Sequence, residues 1–504
     1  MAILLHIPLS FVHWATILLV LAALTGDSTG QYTAEAEADR VAALPGTEEL
    51  KSDLFSGYVT VDKEAGRALS YLFVEAEDPA SAPLALWLSG GPGCSSIGGG
   101  FMSELGPFYP DPDTPGKLRR NQWAWTRTAN YIFLDSPAFV GFSYSNTSSD
   151  RIVGDARTAA DARAFMLGFL QRFPQYANTP FWITGESYAG HYVPNLALEI
   201  LRGNEEDRST PPIRLQGVMV GNPWTDPTVD NRGAADMWWT HSITSDAVYR
   251  GMLRYCNFTT LGPLAMQAAG STLASGSLLL STLQTNVDIT ECNRVVYEAG
   301  AEFGQINIYD IYVDICYPSS VTAPARQLGK AVGSTASFAA VGPLLAENGA
   351  YDPCVDDEVS TYMNLPEVQA ALHVNQSGQL PGPWSDCSSY LQYSRKDLLT
   401  SELPVWQRLL QRYPRLQILI YSGDVDGIVP VIGTRRWTAG LGLPITDPWR
   451  PWHSLTGQVA GHTITYAGLT FASVRNAGHM VPFTQPERSY AMFTSFLHNQ
   501  TLPM

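Results

Sequence analysis

Six residues, Gly185-Glu186-Ser187-Tyr188-Ala189-Gly190, constrain this chain most, because they follow the apolar run Phe181-Trp182-Ile183-Thr184 and precede a stretch of helical character. A strand, a tight glycine-flanked turn with serine at its apex, and a helix form the context of a nucleophile elbow. The small residues at 185 and 190 have a steric reason, since bulkier ones would collide with the adjoining strand and helix. Such a turn presents Ser187 for acyl transfer. The same string also occurs in ordinary strand-to-helix loops, so the rest of the sequence has to supply partners for the serine.

Short apolar runs recur on both sides of the elbow. Gly57 to Val61 and Leu69 to Glu75 alternate as an antiparallel pair, and Leu84 to Leu88 reads as a buried strand running into Ser89-Gly90-Gly91-Pro92-Gly93-Cys94. Further runs lie at Tyr131 to Leu134, Leu215 to Val220, Gln417 to Tyr421 and Phe471 to Val474, with helical spacing at Phe165, Phe169, Leu170 and Phe173. Strands alternating with helices predict an α/β fold, with a mostly parallel mixed sheet and helices on both faces. The alternation stops between about 236 and 353, where helical stretches, cysteines and a Gly/Ser/Ala-rich piece near 271–281 replace it. This segment reads as a helical cap inserted over one end of the sheet, within a single domain spanning 31–503.

Hydrophobic residues make up 45% of the 504 and charged residues only 15%, which predicts a large core and excludes a disordered chain. A formal charge of -16, without clusters of Lys and Arg, excludes nucleic acid as a partner. Met1 to Leu24 is almost continuously apolar and gives way to small and polar residues up to Gly30, the pattern of a secretory signal peptide over 1–30. No later stretch is apolar enough to span a bilayer, so no stable membrane insertion is expected. Six cysteines, Cys94, Cys256, Cys292, Cys316, Cys354 and Cys387, fit disulfides in an oxidising compartment, although spacing leaves their connectivity open. None forms C-x-x-C or lies near a histidine, so neither a metal site nor a cofactor is expected. Sequons at Asn146, Asn257, Asn375 and Asn499 fit glycosylation on the same route.

The late strands offer partners in the order an α/β-hydrolase requires: serine, acid, histidine. Gln417 to Tyr421 runs into Ser422-Gly423-Asp424-Val425-Asp426-Gly427; one of the two aspartates is a turn-former, and spacing does not say which. Phe471 to Val474 leads to Asn476-Ala477-Gly478-His479. His241, His373, His453 and His462 lack such a strand and glycine, and His191 reads as a hydrogen-bonded packing residue on the helix after Ser187. Ser187 is thereby the nucleophile, His479 the general base and then acid, and one aspartate the group that orients the imidazole. Oxyanion donors are expected from the Tyr188 N–H and from the glycine-rich loop Ser89 to Gly93.

With these residues assembled, the chain resembles the serine carboxypeptidases from about Asp39 to Phe496. The resemblance is carried by Asp39-Arg40-Val41 with Leu44-Pro45-Gly46, by Leu86-Trp87-Leu88-Ser89-Gly90-Gly91-Pro92-Gly93-Cys94-Ser95-Ser96, and by Asp135-Ser136-Pro137. Gly185 to Tyr192, Gly423-Asp424-Val425-Asp426 and Gly478-His479-Met480-Val481-Pro482 complete it. The plant branch is most similar, with Tyr351-Asp352-Pro353-Cys354 and Asn364-Leu365-Pro366-Glu367-Val368-Gln369 also matching.

This resemblance implies an α/β-hydrolase fold, the triad Ser187, Asp426 and His479, and an oxyanion hole from the N–H groups of Gly91 and Tyr188. It implies disulfides Cys94–Cys387, Cys256–Cys292 and Cys316–Cys354. It further implies that Ser89, the Gly90 backbone, Glu104 and Glu186 bind the C-terminal carboxylate of a peptide. Two close carboxyls cannot both ionise cheaply, so one keeps a proton and donates it; binding then weakens as pH rises, giving an acidic optimum. Trp87, Phe139 and Met480 are assigned to the substrate pocket.

The chain departs from the family pattern in places. Ser89 stands where carboxypeptidases usually have Asn, an exchange also seen in a branch of acyltransferases that use glucose esters; serine is shorter but still donates. Phe139 replaces a usual glycine and would narrow or reshape the cleft. Met480 replaces the Glu of many plant relatives, favouring an apolar leaving residue. Pro223 replaces a common glycine and carries no functional reading. The loop 318–350 corresponds to a stretch that some relatives lose on maturation. The expected activity is removal of C-terminal residues from peptides and proteins along the secretory pathway, in a vacuole- or lysosome-like compartment or outside the cell. An acyltransferase or esterase on the same triad is the second expectation, and a catalytically silent protective scaffold, against which an intact triad argues, the third. A homodimer is compatible with each.

Overall fold

In a computed structural model of the protein, the described residues are 32–47, 51–261, 289–316, 352, 354–376, 378 and 380–504. The expected signal segment 1–30, the piece near 271–281 and the loop 318–350 lie outside them. Ten strands follow one another across a single sheet: β1 (Leu54–Asp62), β2 (Arg67–Val74), β3 (Leu84–Leu88), β4 (Asn130–Leu134), β5 (Phe181–Glu186), β6 (Leu215–Gly221), β7 (Gln417–Gly423), β8 (Ile445–His453), β9 (Val459–Tyr466) and β10 (Leu469–Val474). Their spatial order is β1-β2-β4-β3-β5-β6-β7-β10-β9-β8, and a short strand at Tyr144–Ser145 joins β2 to make eleven.

The middle of the sheet is parallel: β3 pairs with β4 and β5, β6 with β5 and β7, and β7 with β10. Antiparallel pairs flank it on both sides, β1 with β2 and β2 with β4, then β10 with β9 and β9 with β8. The central strands β3, β4 and β5 are buried at every residue, as continuous apolar runs between two helical layers must be. Alternation divides their side chains between two cores. Leu86 and Ile183 face helices α1 (Asp155–Arg172) and α2 (Ala189–Glu206), which supply Phe165, Phe169 and Val193. Trp87 and Trp182 turn to the opposite face.

After β6 the chain leaves the sheet through α3 (Pro227–Thr240), α4 (Asp246–Tyr255) and α5 (Ile289–Phe303). These helices build an apolar cluster of their own around Trp238, Met252, Val295 and Phe303, and Cys256–Cys292 joins α4 to α5. Among the described residues of 236–353, every regular element is helical. The segment then meets the loop after β7 at Ile308–Ile311, which bond Gly427 and Val425, before α6 (Leu403–Arg412) and α7 (Pro486–Leu497) add to the two helical layers. Disulfides join Cys94–Cys387, Cys256–Cys292 and Cys316–Cys354, the pairing that the family resemblance implies. Among the described residues no helix is long and apolar enough to cross a membrane.

Strands β8 and β9 have no counterpart in the sequence reading. Pro448 and Pro451 remove ladder donors from Ile445–His453 and mask it as a strand; the sheet tolerates them because β8 is an edge.

Candidate active site

The elbow forms as its residues dictate. Ser187 adopts a φ of 63°, and its N–H donates to Gly221 O at 3.0 Å while its carbonyl accepts from Gly190 and Trp224 N–H, each at 2.9 Å. A non-glycine residue in this left-handed region carries a penalty of roughly 1–2 kcal/mol, which the bonds to the end of β6 and beyond offset. A Cβ at position 185 would meet Leu88 O at 2.6 Å, and one at 190 would meet Trp224 O at 2.2 Å. Only glycine fits either place. Tyr188 then caps α2.

The histidine loop lies after β10 and the acid loop after β7, both at the carboxyl edge of the parallel strands, where α/β sheets place their sites. His479 Nδ1 lies 2.7 Å from Asp426 Oδ2, with the imidazole 3% exposed and Asp426 fully buried. Asp426 accepts further bonds from Asn222 Nδ2 at 2.7 Å and from the N–H groups of Ile428 and Val429 at 2.8 and 3.3 Å. These donors hold the carboxylate turned to the ring. Asp424 serves a different end, its Oδ1 accepting from Asn476 N–H at 2.6 Å across the two loops. The structure thus separates two aspartates that spacing leaves equivalent.

The glycine-rich loop after β3 runs against the elbow. A Cβ on Gly90 would stand 2.4 Å from Tyr188 N and 2.7 Å from Ser187 Cβ, so the loop backbone reaches the serine only because residue 90 has no side chain. Gly91 follows with a φ of 108°. Ser95 Oγ ties the loop to Asp135 at 2.6 Å, and burial raises that aspartate to about 6 against the hydrogen bonds it accepts.

Glu104 and Glu186 are both buried and hydrogen-bond each other. Burial raises both, and the charge of Glu104 raises Glu186 further, so the pair holds a proton to higher pH than an ordinary glutamate does. Ser89 adjoins them: a Cβ on Gly99 would lie 3.2 Å from Ser89 Oγ and 3.7 Å from Glu104 Oε1.

Trp87 departs from its assignment as a pocket residue. Its side chain is fully buried, packed edge-on against Trp125, and its indole N–H donates to Ser89 Oγ at 3.0 Å. Residues two apart on a strand share a face, so Trp87 underlies Ser89 and sits one layer below the surface of the site. Phe139 has a φ of 74°, the conformation a glycine adopts without strain, with the Arg151 guanidinium 5.6 Å from its ring. It lines a narrow cleft with Tyr144, Trp384 and Tyr390. Met480 is half-buried beside the histidine and packs on the core of that face. Of the sequons, Asn146, Asn257 and Asn499 are exposed, whereas the half-buried Asn375 donates its amide N–H to Gln369 at 3.0 Å. Pro223 packs near Gly190.

Two contributors escape the sequence reading. Asn222 holds Asp426 and also accepts from Gly423 N–H at 3.1 Å; its φ of 40° after a strand end is the signal that marks it. Tyr309, from the helical insertion, accepts the His479 N–H on its carbonyl at 2.6 Å and sets its ring 5.4 Å from the imidazole. Nothing in its local sequence announces that contact.

A family model described as serine carboxypeptidase matches residues 45–499. The chain belongs to the serine carboxypeptidase family. This family member is 40% identical over 497 residues to serine carboxypeptidase 24 of Arabidopsis thaliana, covering 97% of this chain and 98% of that protein. It is 40% identical over 475 residues to serine carboxypeptidase-like 26 of Oryza sativa subsp. japonica, covering 93% and 92%. Its fold matches the crystal structure of Kex1Δp, a prohormone-processing carboxypeptidase from Saccharomyces cerevisiae, with a TM-score of 0.66 at 21% identity over 92% of this chain and 96% of that one. The serine carboxypeptidase fold seen here is accordingly an α/β-hydrolase fold, in a family that holds both peptidases and acyltransferases.

Proposed function

We propose that the protein is a serine-type carboxypeptidase that hydrolyses the C-terminal peptide bond of peptides and proteins at acidic pH. The observation that carries this reading is the 2.7 Å contact between His479 Nδ1 and buried Asp426, on the sheet edge that also presents Ser187. In this reading Ser187 Oγ attacks the scissile carbonyl and passes its proton to His479 Nε2. Asp426 fixes the tautomer with the proton on Nδ1 and stabilises the imidazolium. The N–H groups of Gly91 and Tyr188 receive the oxyanion. The imidazolium then protonates the leaving amine, and water, with His479 as base, releases the acyl group from Ser187.

Ser89, the Gly90 backbone and the Glu104–Glu186 pair take the substrate's terminal carboxylate. The shared proton of the pair donates to it at acidic pH and is lost as pH rises, so binding fades toward neutrality. Phe139 and Met480 shape the pocket for the departing residue. The apolar segment 1–30, the disulfides and exposed Asn146, Asn257 and Asn499 support transit through the secretory pathway to a vacuole-like compartment or the exterior. Glycosylation at Asn375 requires release of its bond to Gln369. The chain reads as one domain over 31–503, with 236–353 as its cap.

Ser89 favours a second reading, acyl transfer from an activated ester on the same triad. Purified protein is incubated with an N-blocked dipeptide, its C-terminal amide, and a glucose ester plus alcohol acceptor, from about pH 4 to 8, spanning the ordinary Glu range and above. Faster release from the free acid than from the amide, abolished in Ser187→Ala, is expected. Transfer from the ester without peptide hydrolysis would refute the carboxypeptidase reading.

A further inference from the structure

A buried ionisable cluster lies behind the elbow, apart from the triad and the glutamate pair. His191, in the first turn of α2, is fully buried with Nδ1 at 2.9 Å from Asp155 Oδ2 and 3.4 Å from Glu402 Oε1. Asp155 opens α1, and Glu402 immediately precedes α6. Both neighbours of Nδ1 are carboxyl oxygens, so Nδ1 carries a proton and donates. His191 Nε2 has no hydrogen-bond partner among the described residues. The imidazole is therefore held through Nδ1 and through its ring face alone.

That face lies on Tyr188. The two rings stack with centroids 4.5 Å apart and planes 16° from parallel, and the Tyr188 hydroxyl donates to Asp155 Oδ1 at 3.3 Å. Tyr393 donates to the same oxygen at 2.6 Å, and Asn195 fixes Glu402 from its other side at 2.9 Å. On its backbone side Tyr188 is equally confined, since a Cβ on Gly90 would come within 2.4 Å of its nitrogen. The residue is thus gripped by its ring on one side and by the glycine loop on the other. A buried imidazole with two carboxyls is a demanding arrangement where an apolar side chain would also fill the space, and such groups are best attested where they fix one geometry among several.

We propose that His191, held by Asp155 and Glu402, is a positioning residue that orients the Tyr188 N–H toward the oxyanion; this rests on the acyl-transfer reading above. A misplacement of about 1 Å at a catalytic group is enough to lower turnover about a hundredfold. The network acts on the transition state, because the Tyr188 N–H meets full negative charge only there.

The test uses the full-length protein. Wild type is first treated with a fluorophosphonate, which labels an activated serine; absence of label on Ser187 removes the acyl-transfer reading itself. His191→Asn keeps an N–H for the carboxyls and removes the stacked ring. The expected result is a fall in kcat of about tenfold or more, with KM within about twofold, since loss of a whole oxyanion donor lowers kcat about 100- to 1,000-fold. Affinity for a peptide aldehyde, which forms an oxyanion with serine, should fall by the same factor as kcat/KM, while affinity for the product-like N-acyl amino acid stays unchanged. A labelled wild type with a folded His191→Asn of unaltered kcat overturns the proposal alone. So does a variant whose aldehyde and product affinities fall together. If His191→Asn fails to fold, His191→Phe, which keeps a ring beside Tyr188 and loses the N–H held by Asp155 and Glu402, reads the same ratio; unaltered kcat and aldehyde affinity there are equally fatal to a role for the carboxyl-held imidazole.

Discussion

The indole N–H of Trp87 donates to the Ser89 hydroxyl at 3.0 Å, and the Ser89 N–H in turn donates to Ser96 Oγ at 3.0 Å. One lone pair of Ser89 is thereby occupied from below, and its own proton is left to donate outward. A short serine in the place of an asparagine keeps a fixed donor through its neighbour two residues back.

Trp87→Phe keeps a ring in the core and frees Ser89. A neutral hydrogen bond contributes about 0.5–1.5 kcal/mol, so KM for free-acid peptides should rise by a small factor with kcat retained. Ser89→Ala, which removes the donor, should raise KM further, and Ser89→Asn should lower it below wild type. Steady-state kinetics on a blocked dipeptide decide the matter; equal KM in all four proteins removes residue 89 from carboxylate binding.

Asp426→Asn should lower kcat by about 10,000-fold with little change in KM, because the amide favours the wrong imidazole tautomer. Asp424→Asn should leave most activity, since Asp424 braces Asn476 and does not meet His479. Turnover of the two purified variants at one pH ranks them, and the opposite ranking would show the acid to be Asp424.

Glu186→Gln replaces a titrating donor with a permanent one. In wild type the raised glutamate pair loses its proton as pH increases, so KM should climb from about pH 5 to 8, above the ordinary Glu range. In the variant the climb should flatten. An identical KM–pH curve in both proteins would dissociate the pair from substrate binding.

Much of this was legible in the sequence, for a physical reason. The parallel strands from β3 to β10 carry continuous apolar runs because both faces are covered, and each functional loop follows such a run directly. What escaped lies where local pattern and tertiary role part company. Pro448 and Pro451 hide an edge strand, and Asp424 and Asp426 sit at one strand end yet bond to different residues of the histidine loop. Trp87 belongs to a motif at the site but turns inward, and Tyr309 reaches His479 from a distant helical segment. No window of sequence contains that last contact.

Several buried carboxyls make stability depend on pH. Burial raises Asp135 to about 6, and Asp230 and Glu402 each to about 7. Their folded values exceed the unfolded ones, so the stability they contribute is fully present below the ordinary carboxyl range and is lost as pH rises through about 6 to 7. A difference of one pKa unit corresponds to about 1.4 kcal/mol for each group. Thermal unfolding at constant ionic strength should give the highest Tm near pH 4.5 and a falling Tm toward pH 8, and a flat or rising Tm would contradict this.

The seam between β6 and β7 joins two parts of the chain that are made far apart in time. Gly217 to Gly221 lies beside Gln417 to Tyr421, and Asn222 from the earlier part bonds Asp426 from the later one. Ser187 precedes the helical insertion, whereas Asp426 and His479 follow it. A growing polypeptide therefore carries its serine for most of its synthesis without the groups that would activate it. Under the proposed triad, reactivity waits until the last parallel strand docks beside β7.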